Sequence, residues 1–229
     1  MRYSLRRTVM VLLFLALTIL CGESAGVSLS LLLRRGVRFF DIAGAMIPPD
    51  MSYGRIVLAP LWATVQMSLA GTGIGAVLGL VGGSFASAYL NPHAWLRVPF
   101  KAVIHLIRTI PALILALLCT FLVGLGTLAG TLALSIYTTA VMARMGYEDM
   151  ENADQKAAKA LEAAGCGRLR AFIRTILPVV LAGYLINVLY MLEANVRHAA
   201  ILGYVGAGGI GLLLNERLAW REYSEVGMI

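Results

Sequence analysis

Five apolar stretches, each long enough to cross a bilayer as a helix, leave this chain few folds to choose from. A hydrocarbon core of about 30 Å takes about 20 helical residues. In that solvent every main-chain polar group has to be satisfied inside the segment, which only helices and closed barrels achieve. The stretches cover about 8–26, 57–90, 102–123, 125–143 and 179–204. Composition agrees: 59% of the residues are hydrophobic, 14% are charged, and the mean hydropathy is +0.82. A soluble domain carries about 25% charged residues. At 229 residues the chain is large enough for an ordinary soluble core, so small size does not explain the excess. The expected class is an all-α membrane protein, a polytopic helical bundle.

The net charge of +7 sits in short clusters between apolar runs, without interleaved aromatics. That is the pattern of membrane-flanking charge and not of a nucleic-acid face, so the partner it implies is membrane lipid. Arg2, Arg6 and Arg7 precede the first stretch and Ser24-Ala25-Gly26 close it. A cleaved signal peptide has the same order of parts; the spans that follow favour a retained first helix. With the N-terminus in the cytoplasm, 12 of the 19 Lys and Arg residues fall inside and 7 outside, the expected sign of bias. Five spans leave Ile229 outside, and the apolar Gly227-Met228-Ile229 suggests a sixth span beyond this sequence. Cys21, Cys119 and Cys166 have no CxxC spacing, and His93, His105 and His198 are scattered. Neither a disulfide framework nor a metal site follows.

Two patterns speak of packing and docking. Gly71, Gly75, Gly79 and Gly83 recur every four residues, with Ser87 extending the row; on a helix they form one smooth stripe that another backbone can approach. From Tyr147 to Arg174 the chain turns polar, within an expected cytoplasmic loop of about 147–177. An alanine-rich helix is expected over 155–164, with Gly165 as its C′ residue. A second short helix is expected from Leu169, Phe172, Ile173 and Ile176, spaced i, i+3, i+4, i+7. Two helices about a glycine hinge make either a docking element or an amphipathic connector at the lipid surface.

The segment Leu192–Gly211, LEANVRHAAILGYVGAGGIG, interrupts an apolar helix with Glu193, Asn195 and Arg197 and ends it in Gly206, Gly208, Gly209 and Gly211. The glycines fit GxGxxG but follow a membrane helix instead of a strand, so no dinucleotide site is implied. GxxxxGK[ST] does not occur, and no Ser/His/Asp set stands in a hydrolase arrangement. A secondary transporter would show matched internal repeats with broken helices, which the sequence lacks; an intramembrane enzyme is the alternative from another class. Ionisable residues at membrane depth are candidates by default: His105 and Arg108 in the third stretch, and Glu193, Arg197 and His198 in the fifth. Arg108 and Arg197 could line a path for an anion. Glu193 and Arg197 are equally placed to pair with each other at i, i+4.

These strings resemble one family. LEANVRHAAILGYVGAGGIG, FFDIAGAMIPPDMS (39–52), RTIPALILALL (108–118) and VGLGTLAGTLAL (123–134) are similar to the permease subunits of phosphonate/phosphite ABC importers, over about 39–229. Methionine-type permeases share the glycine turn; the Glu193-Asn195-Val196-Arg197 element narrows the resemblance. Permeases of ABC importers carry EAA-x3-G-x9-I-x-LP. Gly165 and Leu177-Pro178 stand at that separation, which puts Lys159, Ala160 and Leu161 in the EAA register and Thr175 at the isoleucine. The literal Glu162-Ala163-Ala164 is three residues out of register. The resemblance implies a methionine-permease-like bundle with an N-terminal span and external segment (1–56) and a permease core (57–229). It implies coupling to an ATPase through Lys159, Ala160, Leu161, Gly165, Leu177 and Pro178. It implies a periplasmic gate turn at Gly206, Gly208, Gly209 and Gly211, and a path near Arg108, Glu193 and Arg197. The implied partners are an ABC ATPase that holds ATP and Mg, a periplasmic or lipid-anchored substrate-binding protein, and a second permease copy, identical or paralogous. No cofactor is expected on this chain and no catalysis; the implied place is the bacterial inner membrane.

Overall fold

The computed structural model describes residues 2–26 and 28–229, and the side chains of all of these except 2–5 and 29–32. Arg2, counted above with the inner basic residues, has its side chain outside that set. Among the described residues every regular element is helical, in the order α1 (Arg2–Ser24), α2 (Leu29–Ala45), α3 (Gly54–Ala86), α4 (Ala94–Thr109), α5 (Ala112–Val123), α6 (Thr127–Asn152), α7 (Lys156–Ala163), α8 (Arg168–Leu202), α9 (Ile210–Trp220) and α10 (Tyr223–Val226). Short 3₁₀ turns precede α3 and follow α8. The chain divides into two compact units, 1–50 with 223–228, and 51–222 with 229.

In the first unit α1 carries no charged residue between Arg7 and Glu23, and none of its spanning stretch is buried. Such a helix is stable when lipid is its solvent. Hydropathy alone marks no helix directly after it. Yet Leu29–Ala45 is helical, and the Asp50 N–H donates to the Ser224 carbonyl at 3.1 Å.

The second unit is built around α6, the most buried of the long apolar helices, with 56% of its spanning stretch inside. The glycine stripe of α3 lies on it. A Cβ added at Gly71 would stand 2.7 Å from Leu134 Cβ, at Gly75 2.5 Å from Thr138 Cβ, and at Gly79 2.6 Å from Met142 Cβ. The stripe therefore packs within this chain, and the contact is too close for any side chain. Polar groups reinforce it. Asn195 of α8 is fully buried; its Nδ2 donates to Thr72 Oγ1 and to Thr138 Oγ1, each at 2.8 Å, joining three helices. The Tyr184 hydroxyl of α8 donates to the Ala76 carbonyl at 2.7 Å.

Three expectations are corrected. First, the third span is not one helix: α4 and α5 meet at a 96° bend. Pro111 offers no N–H and pushes the residue before it out of the helical region. Ile110 accordingly sits at φ −84°, ψ 121°. Second, the expected loop 147–177 is mostly the ends of long helices. α6 continues to Asn152 because its acidic residues find cations. Glu148 pairs with Arg144 at 2.6 Å. Glu151 pairs with Lys101 at 2.8 Å and also accepts the Ala88 N–H at 2.8 Å. The expected second short helix is the beginning of α8, which runs 35 residues with Pro178 inside it. Third, the span expected to reach residue 90 stops at Ala86. Ser87 is extended and its N–H returns to the Gly83 carbonyl at 2.9 Å, leaving 87–93 as a loop. Among the described residues four helices, α1, α3, α6 and α8, are long and apolar enough to cross a membrane; the bent α4–α5 pair makes the fifth if it counts as one span.

Candidate translocation path and coupling region

The break between α4 and α5 opens a cavity of about 390 Å³, lined among others by Arg108, Thr109, Pro111, Tyr137 and His198. Arg108 is in the last turn of α4, and no carboxylate pairs with it among the described residues. Tyr137 comes from α6 and His198 from α8, their rings edge to face with centroids 5.4 Å apart. The His198 Nδ1 atom is buried without a hydrogen-bond partner among the described residues. The first residues of α5, Ala112 and Leu113, also line the cavity. Their N–H groups belong to a helix start, where no intrahelical acceptor exists and the dipole is positive. One guanidinium, one imidazole and one helix N-terminus thus converge on a space whose other walls are Thr109, Tyr137 and apolar side chains such as Ile110, Leu113, Ile201 and Leu202. Groups of these three kinds are suited to donate to an oxyanion.

Of the ionisable residues singled out from sequence, Arg108 and His198 line this cavity and Glu193 and Arg197 do not. Those two pair with each other at 3.4 Å, with side chains 66% and 65% exposed. They lie on a different face of α8 from His198, while Asn195 between them points into the core. His105, about one turn before the end of α4, hydrogen-bonds the Tyr147 hydroxyl at 3.0 Å. Tyr137 carried no signal in the sequence: a tyrosine in an apolar run reads as core until a neighbouring helix break exposes it.

The candidate coupling region is built on α7. Lys159 and Ala160 are exposed and Leu161 is half-buried. Gly165 has φ +90°, the left-handed conformation of a C′ residue. Its N–H donates to the Glu162 carbonyl, and the Cys166 N–H to the Leu161 carbonyl, both at 2.9 Å. Those are the two bonds of a Schellman cap. Underneath, Ala158 is fully buried in a cluster with Met150, Phe172, Ile176 and Tyr89, and Leu177 packs against its edge. Pro178 is exposed within α8. Glu162, which falls outside the EAA register, serves the fold instead, since its carboxylate accepts the Tyr89 hydroxyl. The Tyr89 ring stacks on Phe172 with centroids 6.1 Å apart, and the Arg168 guanidinium lies over it at 5.2 Å. Burial, then the hydrogen bond and charge of Glu162, push the Tyr89 hydroxyl up to about 12.

At the other end of the bundle lies the glycine turn. Gly206, Gly208 and Gly209 all have positive φ, a backbone that glycine adopts without cost. The Gly126 N–H donates to the Gly206 carbonyl at 2.9 Å. Thr64 of α3 accepts the Ile210 N–H at 2.8 Å, so its hydroxyl caps α9 from another helix. Gly211 is buried against α8, where an added Cβ would meet the Ala200 carbonyl oxygen at 1.7 Å.

Known proteins share this architecture. The model of the binding-protein-dependent transport system inner membrane component family matches residues 71–227. The chain belongs to that family. The phosphite transport system permease protein PtxC of Stutzerimonas stutzeri is 33% identical over 82% of this chain and 68% of its own length. The phosphate-import permease protein PhnE of Mycolicibacterium smegmatis is 32% identical over 80% of this chain and 35% of its own. Among solved structures, the inward-facing methionine ABC transporter MetNI superposes with a TM-score of 0.68 at 24% identity, covering 80% of this chain and 88% of that one. The resemblance read from the sequence and the methionine-permease-like bundle are borne out. The chain is a multi-pass membrane protein and a transport subunit.

Proposed function

We propose that this chain forms the translocation path of an ABC importer for phosphite- or phosphonate-like anions. The single observation that carries the reading is the cavity at the α4–α5 break. Arg108 has no carboxylate partner there, His198 Nδ1 is unsatisfied, and the N-terminus of α5 faces the same space. A tetrahedral oxyanion supplies acceptors to all three, and discontinuous membrane helices present anion sites in this way. The relatives named for phosphite, phosphate and phosphonate support the substrate class.

In this reading the permease core is 57–229. ATP and Mg bind a separate ATPase, which seats on α7 through the exposed Lys159 and Ala160 with Gly165, Leu177 and Pro178 holding the shape. A binding protein delivers the anion at the outer face, where Gly206, Gly208, Gly209 and Gly211 form the gate turn. The N-terminus lies in the cytoplasm of a bacterial cell, and a second permease copy completes the path. The exposed Glu193–Arg197 pair supports that last point, because a charged pair in a spanning helix faces protein or water, not lipid.

The test is ligand binding by the product of the neighbouring binding-protein gene. Tight binding of phosphite or methylphosphonate is expected. Tight binding of methionine, with no response to either oxyanion, would overturn the substrate and leave the importer standing.

A further inference from the structure

A second cavity, of about 480 Å³, opens between the inner end of α3 and the start of α8. Val81, Phe85, Leu90 and Leu169 form its walls, and Asn91 and Arg168 its polar rim. It shares no lining residue with the path at the α4–α5 break. We propose that this groove holds one anionic phospholipid of the inner leaflet, its phosphate on Arg168 and one acyl chain along α3.

Three observations lead there. The first is charge. Arg168 is exposed and no carboxylate pairs with it among the described residues; its guanidinium rests on the face of Tyr89. A second guanidinium is held at the same rim, since Arg97 Nη1 donates to the Asn91 carbonyl at 3.2 Å. A guanidinium with free donors is well matched to a phosphate diester. The second is the apolar wall. Val81 and Phe85 are 51% and 63% exposed, and Val77 and Leu78, one turn deeper, continue the same open surface. An acyl chain covers such a surface along the helix; a free inorganic anion does not. The third is depth. The groove lies where α3 ends and α8 begins, and the loop that leaves α3 leads to the exposed Trp95, an interfacial arrangement of an aromatic with basic residues. Because Arg168 also touches Tyr89, the occupant borders the contact that anchors α7.

Native mass spectrometry of the full chain, purified in detergent and offered phosphatidylglycerol and phosphatidylcholine in equal amounts, tests this. The wild type is expected to retain phosphatidylglycerol about fivefold over phosphatidylcholine, the effect of one basic residue at a membrane surface. Arg168→Gln should abolish the preference, Arg168→Lys should keep part of it, and Arg174→Gln should leave it in place. Val81→Trp, which fills the groove, should lower retention of both lipids. Equal retention by the wild type overturns the proposal. So does a preference that survives Arg168→Gln, or one lost equally with Arg174→Gln, which would mark diffuse surface charge. Glycerol phosphate at millimolar concentration should not displace the lipid; full displacement would assign the site to a soluble anion instead.

Discussion

The Tyr89 hydroxyl donates to the Glu162 carboxylate, and this one bond ties the loop after α3 to the exposed helix α7. Tyr89→Phe leaves the half-buried carboxylate without its donor, at a cost of about 1–3 kcal/mol. Hydrogen exchange should then accelerate across 156–163 and not across the rest of the bundle. Unchanged exchange there would show that the Ala158 cluster alone holds α7.

The same bond has a pH window. A tyrosine ionises near 10 when unfolded, whereas Tyr89 is pushed up to about 12. Its folded-state value is raised, so its contribution is complete below pH 10 and is lost as pH rises through 12. The wild type should lose thermal stability over that interval more steeply than Tyr89→Phe. Equal slopes would contradict the shift.

The α3–α6 contact predicts opposite fates for two neighbouring glycines. A Cβ at Gly75 would stand 2.5 Å from Thr138, whereas one at Gly73 meets nothing within 4 Å. Gly75→Leu should cost about 3 kcal/mol, read as a fall in melting temperature in detergent, and Gly73→Ala should be close to neutral. Equal melting temperatures would remove the close contact.

The coupling region allows a further pair. Gly165→Val forces a branched side chain into a left-handed backbone at φ +90°, costing about 1–2 kcal/mol. It should reduce ATP-driven uptake while the protein still reaches the membrane. Lys159→Glu, on the exposed face of α7, should be tolerated. Wild-type transport by Gly165→Val would sever α7 from coupling.

Much of the bundle was legible because membrane helices declare themselves by length and hydropathy, and because glycine every fourth residue has few other uses. The Gly165 cap and the Leu177-Pro178 spacing were legible for the same local reason. What local pattern concealed was tertiary. Pro111 breaks its helix by 96° while Pro178 leaves its helix whole, and hydropathy reads the two alike. Glu162 finds Tyr89 73 residues away, beyond the reach of any short motif. Arg108 and Arg197 look equivalent as intramembrane arginines. The i, i+4 spacing offered Arg197 a partner in Glu193, and the structure forms that pair; only packing shows that Arg108 is left unpaired in a cavity.

That difference gives the most direct test of transport through the α4–α5 break. In cells whose phosphite uptake depends on this system, Arg108→Gln should lower the uptake of labelled phosphite about tenfold or more, the loss of one charge-assisted contact, at an unchanged membrane level. Arg108→Lys should recover part of it. Full uptake by Arg108→Gln, with loss confined to Arg197→Ala, would contradict the path proposed here and move it to the exposed face of α8.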